Sequence, residues 1–161
     1  MPESQPVVRP GVAGDTVEVL RLATLMYESI GIDASGTRWR QAAAEQLAER
    51  LGQDAAIFVV DDPFQPGRLV ATGAGTIARR LPSPANPGAK TGYVQWVSTE
   101  PGWRRRGFAR QIMLALLDWF RDNDVAVVEL HAAPLGEPLY QELGFQAGHS
   151  PGLRLRLEPA L

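Results

Sequence analysis

Two stretches near the start of the chain place apolar residues at helical spacing, with polar residues between them. In the first stretch they are Val19, Leu22, Ala23, Met26 and Ile30, and in the second they are Trp39, Ala43, Leu47 and Leu51. These positions predict a helix over 16–30 and another over 39–51, which Gly52 closes. The segment between them is small and polar and is predicted to be a loop.

The pattern then changes to short apolar runs separated by turn residues, which is typical of strands. The predicted strands are 55–60, 68–78, 93–98 and 125–130, together with 153–157, where LRLRL alternates as in a half-exposed strand. Apolar periodicity also predicts an amphipathic helix from Phe108 to Phe120 and a short helix over 137–143.

The lengths of the connections predict how these strands pair. The first three strands are joined by segments too short to contain helices, so we expect them to be antiparallel. Strands 93–98 and 125–130 flank a helix, so we expect them to be parallel with a right-handed crossover. The sequence therefore predicts a mixed α/β (α+β) sheet whose crossover lies in the C-terminal half.

Composition narrows the class of protein. A length of 161 residues suits one domain, and we expect a single domain over 15–161 after a loose lead-in over 1–14 with three prolines and two glycines. Sixteen basic against eighteen acidic residues give a net charge of -2, which disfavours a nucleic-acid-binding protein. No apolar run is long enough to cross a membrane. The absence of cysteine excludes thiolate chemistry and fits a cytoplasmic location.

The most informative segment joins strand 93–98 to the helix that begins near Phe108. Backbone N–H groups in the first turn of a helix have no internal partners and carry partial positive charge. Gly107 lets an anion approach these amides, and Ala109 is small enough to keep the site open. The basic residues Arg104, Arg105, Arg106 and Arg110 add charge. The segment therefore predicts a diphosphate site, although an ordinary solvated arginine cluster would give the same pattern.

Two other phosphate motifs are weaker. Residues 73–78, GAGTIA, match the G-x-G-x-x-[GA] string of dinucleotide sites, but Pro82 leaves no room for the helix that such a site requires. We interpret them as part of a strand. Residues 88–91, GAKT, only partly match a P-loop. Two histidines, His131 and His149, have no carboxylates at a suitable spacing, so we predict no metal site.

Residues 93–117 resemble motif A of the GNAT superfamily, the acetyl-CoA-dependent N-acyltransferases. Its pattern [QR]-x-x-G-x-[GA], placed between a strand and a helix, corresponds here to residues 104–109, RRRGFA. The segment VVELHAAPLGEPLYQELGF is similar to the family's next strand and helix, so that the resemblance covers about residues 16–158. It implies a GNAT-like acyl-CoA N-acyltransferase fold, with antiparallel N-terminal strands and a parallel pair splayed around the coenzyme.

The resemblance also implies which residues bind acetyl-CoA, the expected co-substrate. Main-chain groups of Val97 and Thr99 would pair with the pantetheine arm, and the amides of the arginine-rich turn would hold the diphosphate. The residues implied in this turn are Arg104, Arg105, Arg106, Gly107, Phe108, Ala109 and Arg110. Many relatives carry an asparagine or serine after the strand that corresponds to 125–130, but here Ala132 and Ala133 follow His131, which leaves that contact in doubt.

The family transfers an acyl group directly to an amine, without a covalent acyl-enzyme. The sequence agrees, since it has neither cysteine nor a G-x-S-x-G elbow. By resemblance, the N–H of Val97 would polarise the thioester carbonyl, and Tyr140 would protonate the departing sulfur. Tyr140 could otherwise be an ordinary packed aromatic residue.

The general base stays open. Many relatives have a glutamate on the strand where this chain has Gln95, which cannot act as a base. Glu100, Glu129, His131 or a chain of water molecules could take its place. This missing carboxylate also favours an alternative, a non-catalytic coenzyme A-binding or sensor domain of the same fold.

The acceptor amine would enter near the loop 31–38 and the segment 79–92. We expect a primary amine of a small molecule or peptide, and the residues considered near this entrance are Tyr27, Asp33, Arg38, Trp39, Arg79, Arg80, Lys90, Trp96 and Trp103. For Trp39 and Trp96 we favour core packing. A homodimer formed through the alternating segment 153–157 is also compatible with the sequence.

Overall fold

The computed structural model describes residues 6–158, and these divide into two compact units, 6–131 and 132–158. The first unit contains a five-stranded sheet with the spatial order β1-β2-β3-β4-β5. The strands are β1 (Val8–Pro10), β2 (Ala55–Asp61), β3 (Leu69–Arg79), β4 (Lys90–Thr99) and β5 (Val127–Glu129). The helices of this unit are α1 (Thr16–Ser29), α2 (Arg38–Arg50) and α3 (Phe108–Asp122).

The strand directions confirm the predicted mixed sheet. The pairs β1–β2, β2–β3 and β3–β4 are antiparallel, and β4 and β5 are parallel on either side of α3. The string of glycines at 73–78 lies within β3, as the sequence predicted. Strand β1 lies inside the predicted loose lead-in over 1–14, and its Val8 pairs with Val60 of β2.

Helix α1 packs on one face of the sheet through its apolar stripe. Val19, Leu22 and Ala23 are fully buried and form a core with apolar residues of β2, β3 and β4. An ion-pair cluster connects this helix to the end of β4. Arg21 binds Glu18 through its Nε atom at 2.8 Å and Glu100 through its Nη1 atom at 2.7 Å.

Helix α3 packs very closely against the sheet because β3 and β4 present glycines to it. A Cβ atom on Gly73 would lie 2.5 Å from a methyl group of Ile112, and one on Gly92 would lie 2.6 Å from the ring of Phe120. Gly75 faces Phe120 in the same way, at 2.9 Å. Since such contacts are too short for a side chain, these positions require glycine, and they explain the glycines in β3.

The second unit contains α4 (Glu137–Glu142), which Gly144 follows with a φ of 99°. The prediction of a strand over 153–157 was wrong, because these residues are exposed and form no strand. Leu153, Leu155 and Leu157 are each more than four-fifths exposed, so the alternating pattern has no buried face to pack against here. Pairing of this segment with a second copy stays a prediction.

Candidate active site

A β-bulge interrupts β4 next to the predicted acetyl-CoA site. Ala74 of β3 pairs with Gln95, but Thr72 pairs with Ser98, so that two residues of β4 lie opposite Gly73. Trp96 in this bulge has a φ of 59°, which is unusual and strained for a bulky side chain. Bulges of this kind redirect side chains, and strained residues concentrate at functional sites.

The bulge places two consecutive side chains on the α1–α2 side of the sheet. Gln95 and Trp96 both line a cavity there. The Nε1 atom of Trp96 donates a hydrogen bond to the hydroxyl of Tyr27 on α1, at 3.1 Å. The next residue, Val97, lies on the α3 side, since a Cβ on Gly73 would be 3.5 Å from its Cγ2 atom as well as touching Ile112.

The parallel strands separate beyond the start of β4. Among the described residues, β5 pairs with β4 only from Thr91 to Tyr93, whereas β4 continues to Thr99. The second half of β4 therefore has an edge that β5 does not cover. Val97 and Thr99, both half-buried, lie in this half, where an extended ligand could add main-chain hydrogen bonds as an extra strand would.

The first turn of α3, where the sequence predicts an anion site, is open. Gly107 has a φ of 81°, and the space beside it is empty, with no atom within 4 Å of where a Cβ would lie. Arg105 also has a positive φ, 63°, while that of Arg106 is negative. Alternation of this kind turns successive N–H groups toward one side, as in an anion-binding nest.

The amides of this turn are available to a ligand. Within residues 6–158, no hydrogen-bond acceptor contacts the backbone N–H of Arg105, Arg106, Gly107, Phe108 or Ala109. Phe108 is buried and contributes only its main chain to this surface, and Ala109 is half-buried. The turn thus offers unpaired donors at the positive end of a 15-residue helix.

Arginine side chains surround these amides. Arg104, Arg105 and Arg106 are exposed, and none of them forms a salt bridge with a carboxylate of the described chain. The guanidinium of Arg106 lies over the ring of Trp103, 4.6 Å from its centroid. Arg110 is exposed in the first helical turn. The charge of Arg104, Arg105 and Arg106, which no carboxylate of the described chain compensates, is suited to a diphosphate.

The candidate bases occupy different environments. Glu100 is tied to Arg21, with Arg68 at 3.9 Å, so its carboxylate serves an ion-pair cluster. Glu129 is exposed and lies 3.6 Å from Arg80. The exposed ring of His131 contacts the edge of Tyr93, with centroids 5.9 Å apart. The ion pairs of Glu100 argue against it as a base, and the geometry does not distinguish between Glu129 and His131.

Tyr140, the predicted proton donor, lies on α4 in the second unit. Its ring packs edge-on against Phe145, with centroids 6.0 Å apart. Burial raises the pKa of Tyr140 above its ordinary value of 10.0. The hydroxyl therefore stays protonated throughout the neutral range, which a proton donor requires.

Sequence reasoning missed a cavity of about 350 Å³ between α2 and the sheet. Of the residues considered for the acceptor, Tyr27, Trp39 and Trp96 line it; Asp33, Arg38, Arg79, Arg80, Lys90 and Trp103 do not. Trp96 is buried in the core and Trp39 packs against it half-buried, as we favoured, and both also face this space. The available signal was the run of alanines in α2, which is a common feature of helices and so reveals no cavity by itself.

Neither a metal cluster nor a membrane-spanning helix is found between residues 6 and 158. No group of three or more histidine or acidic side chains there could hold a metal ion. Likewise, none of the helices in this range has the length and apolar character needed to cross a bilayer.

Comparison with known proteins agrees with this geometry. The model of the acetyltransferase (GNAT) family matches residues 19–145. No curated protein matches the sequence. A predicted acetyltransferase from Clostridium acetobutylicum with acetyl-CoA superimposes with a TM-score of 0.81 at 21% identity, covering 94% of this chain and 96% of that one.

Two further solved structures show the same fold. A GCN5-related N-acetyltransferase from Ralstonia eutropha has a TM-score of 0.81 at 24% identity, covering 94% of this chain and 99% of its own. Glucosamine-6-phosphate N-acetyltransferase from Arabidopsis thaliana has a TM-score of 0.72 at 16% identity, covering 96% of this chain and all of its own. Because the family model matches most of the chain, and the fold agrees with it, the protein belongs to the GNAT family of acetyltransferases.

Proposed function

We propose that the protein transfers an acetyl group from acetyl-CoA directly to a primary amine. The observation that carries this proposal is the open first turn of α3, which follows directly on the uncovered edge of β4. The turn would bind a diphosphate and the strand edge an extended chain. Coenzyme A contains a diphosphate and an extended pantetheine arm. The family match supports the same activity.

Binding would involve mainly the backbone. The N–H groups from Arg105 to Arg110 would hold the diphosphate, with the side chains of Arg104, Arg105 and Arg106 adding charge. Main-chain groups of Val97 and Thr99 would pair with the pantetheine arm. This arrangement would bring the thioester to the bulge, where the N–H of Val97 would donate a hydrogen bond to its carbonyl oxygen and stabilise the charge that develops there.

The transfer then needs one bond to form and one to break. The amine nitrogen attacks the carbonyl carbon, the carbon–sulfur bond breaks, and the amine proton passes to water. Tyr140 donates its hydroxyl proton to the departing thiolate and is later reprotonated by solvent. No covalent acyl-enzyme forms on this route.

The first experiment tests the acetyl-CoA site. Saturating acetyl-CoA should raise the Tm, by mass action on the folded state. Gly107→Glu should abolish the increase, because it places a carboxylate where the diphosphate binds. Gly52→Glu is the matched control, since Gly52 has a φ of 84° and open space beside it but lies after α2. An unchanged Tm of the unmodified protein with acetyl-CoA would refute the proposal.

The absence of a carboxylate at Gln95 favours one alternative, a coenzyme A-binding or sensor domain without activity. Release of free thiol from acetyl-CoA, measured across a broad panel of amines, separates the two. Amine-dependent thiol release excludes the sensor. Binding of acetyl-CoA without release by any amine would favour the sensor.

A further inference from the structure

The cavity next to the bulge has two facing walls. Helix α2 supplies one wall through Trp39, Ala43 and Leu47, and Tyr27 of α1 extends it. Strands β2, β3 and β4 supply the other. Its volume of about 350 Å³ lies within the range of small-ligand pockets, roughly 300–1,000 Å³.

Small residues on both walls create this space. Ala42 and Ala43 of α2 lie at the cavity, as do Ala55, Ala56 and Ala74 of the sheet. Larger side chains at these positions would occupy the space, so the small residues leave it accessible to a ligand.

The lining contains three aromatic rings and only one charged side chain. Tyr27, Trp39 and Trp96 contribute rings, with Tyr27 and Trp39 in an edge-to-face arrangement at 5.6 Å. The single charged residue among those that line it is Arg50, and Asp54 compensates that charge at 2.8 Å. The lining includes neither an acidic residue nor a histidine.

The cavity reaches the position proposed for the chemistry. Gln95 and Trp96 form its β4 wall, and the next residue, Val97, is the proposed donor to the thioester carbonyl. The side-chain amide of Gln95 has no hydrogen-bond partner within the described chain, so it is available to a ligand. A molecule in the cavity would therefore present one end at the bulge.

Building on the acetyl transfer proposed above, we propose that the acceptor is an amine that carries an aromatic ring. The ring lies among Tyr27, Trp39 and Trp96, where stacked and edge-on contacts favour it. The amine lies at Gln95 and faces the thioester. Polyamines and sugar phosphates fit poorly, because the lining offers no carboxylate for extra ammonium groups and no uncompensated cation for a phosphate.

The kinetic test compares acceptors and variants. We expect kcat/KM for 2-phenylethylamine to exceed that for spermidine and for glucosamine 6-phosphate by at least about tenfold, corresponding to about 1.4 kcal/mol. Ala43→Leu, which fills the cavity but keeps a good helix former, should lower kcat/KM for 2-phenylethylamine about tenfold through KM, leaving the KM for acetyl-CoA unchanged. Ala48→Leu is the matched control, since Ala48 is exposed on the same helix and should have no effect.

Two results would overturn the aromatic acceptor. One is faster acetylation of spermidine or glucosamine 6-phosphate than of 2-phenylethylamine, and the other is an Ala43→Leu variant that acts like Ala48→Leu. If Ala43→Leu does not fold, Ala56→Val replaces it, because Ala56 lies on β2 and a β-branched residue suits a strand.

A binding experiment separates this proposal from the proposed activity. The probe is 2-phenylethanol, which has the ring but no amine, and the signal is the change in tryptophan fluorescence, to which Trp39 and Trp96 contribute from the cavity lining. A saturable change that Ala43→Leu removes supports an aromatic site even if no amine is acetylated, in which case only the activity fails. Thiol release with amines, but no saturable fluorescence change, would overturn the aromatic site and leave the activity standing.

Discussion

The indole Nε1 of Trp96 lies 3.1 Å from the hydroxyl of Tyr27 and donates a hydrogen bond to it. This contact joins the strained residue of the β4 bulge to helix α1, across the end of the cavity. A residue with a φ of 59° is retained only when surrounding contacts hold it. Tyr27 therefore fixes the bulge that gives Gln95 and Val97 their opposite directions.

Removing the hydroxyl should destabilise the protein. Tyr27→Phe leaves the mostly buried indole N–H of Trp96 without its acceptor, and we expect a loss of about 1–2 kcal/mol in the free energy of unfolding. Urea denaturation measures the loss. The double variant Tyr27→Phe/Trp96→Phe also removes the donor, so its loss should be smaller than the sum of the two single losses. Strict additivity would show that the bond does not stabilise the bulge.

A carboxylate at the bulge should supply the missing base. Gln95→Glu changes little in shape, and the new carboxylate would accept a proton from a protonated alkylamine. We expect kcat/KM for 2-phenylethylamine to rise at least about tenfold near neutral pH. Steady-state rates measured from pH 6 to 9 test this, and the gain should be greatest at the acidic end, where the free amine is scarcest.

The control for this variant places the same charge elsewhere in the cavity. Ala42→Glu lies on α2, at an exposed position of the cavity lining, and should not give the increase. An equal gain in both variants would mean that the added negative charge attracts the amine without acting as a base.

Tyr140 should affect chemistry more than binding. Tyr140→Phe removes the proposed proton donor, and we expect kcat to fall about 10²-fold while the affinity for acetyl-CoA stays the same. Steady-state rates measure kcat, and the increase in Tm with acetyl-CoA measures the affinity. Because burial raises the pKa of Tyr140, activity that depends on its protonated form should decline at a higher pH than it would with a tyrosine of ordinary pKa. Unchanged kcat in the variant would remove Tyr140 from the mechanism.

Acid should weaken the contacts that hold β1. Arg9 binds Asp15 at 2.9 Å and Asp61 at 2.7 Å, and the hydrogen bond from Arg9 lowers the pKa of Asp15 below its ordinary value of 3.8. A lowered pKa contributes stability that is present above the unfolded value and lost as the pH falls through the folded one. Arg9→Met should therefore cost about 1 kcal/mol at pH 6 and progressively less below about pH 4.

Urea denaturation of both proteins across this pH range measures that difference. Arg121→Met is a suitable control, because Arg121 forms a similar pair with Asp118 at the exposed surface of α3. A cost for Arg9→Met that does not vary between pH 6 and pH 3 would contradict the assignment.

The sequence predicted most of the elements because their apolar periodicity reflects local packing. The stripe of α3 and the buried residues of β2 are visible in the sequence, and so is the parallel arrangement around α3. Segment 153–157 shows the limit of this reasoning. Its alternation meets the requirement for a strand, but a strand also needs a neighbouring edge, which the pattern does not reveal.

The features that depend on contacts between distant segments could not be predicted. The bulge at Trp96 arises from a mismatch of register between β3 and β4, and a tryptophan gives no sign of a positive φ. The cavity needs alanines of α2 to face alanines of β2, more than ten residues away along the chain. The role of Glu100 in an ion pair requires Arg21, which lies 79 positions earlier.

Helix α3 lies directly against three glycines of the sheet, Gly73, Gly75 and Gly92, so a change beneath one end of the helix can move the other end. Phe120 contacts Gly92 near one end, and the turn at Gly107, which is proposed to bind the diphosphate, lies at the other, roughly 20 Å away at 1.5 Å per residue. A methyl group added at Gly92 would displace Phe120 and tilt α3, which would move the turn at Gly107. We therefore expect a substitution far from the proposed coenzyme site to weaken the binding of acetyl-CoA. A position near the start of β4 can thus influence the affinity for acetyl-CoA.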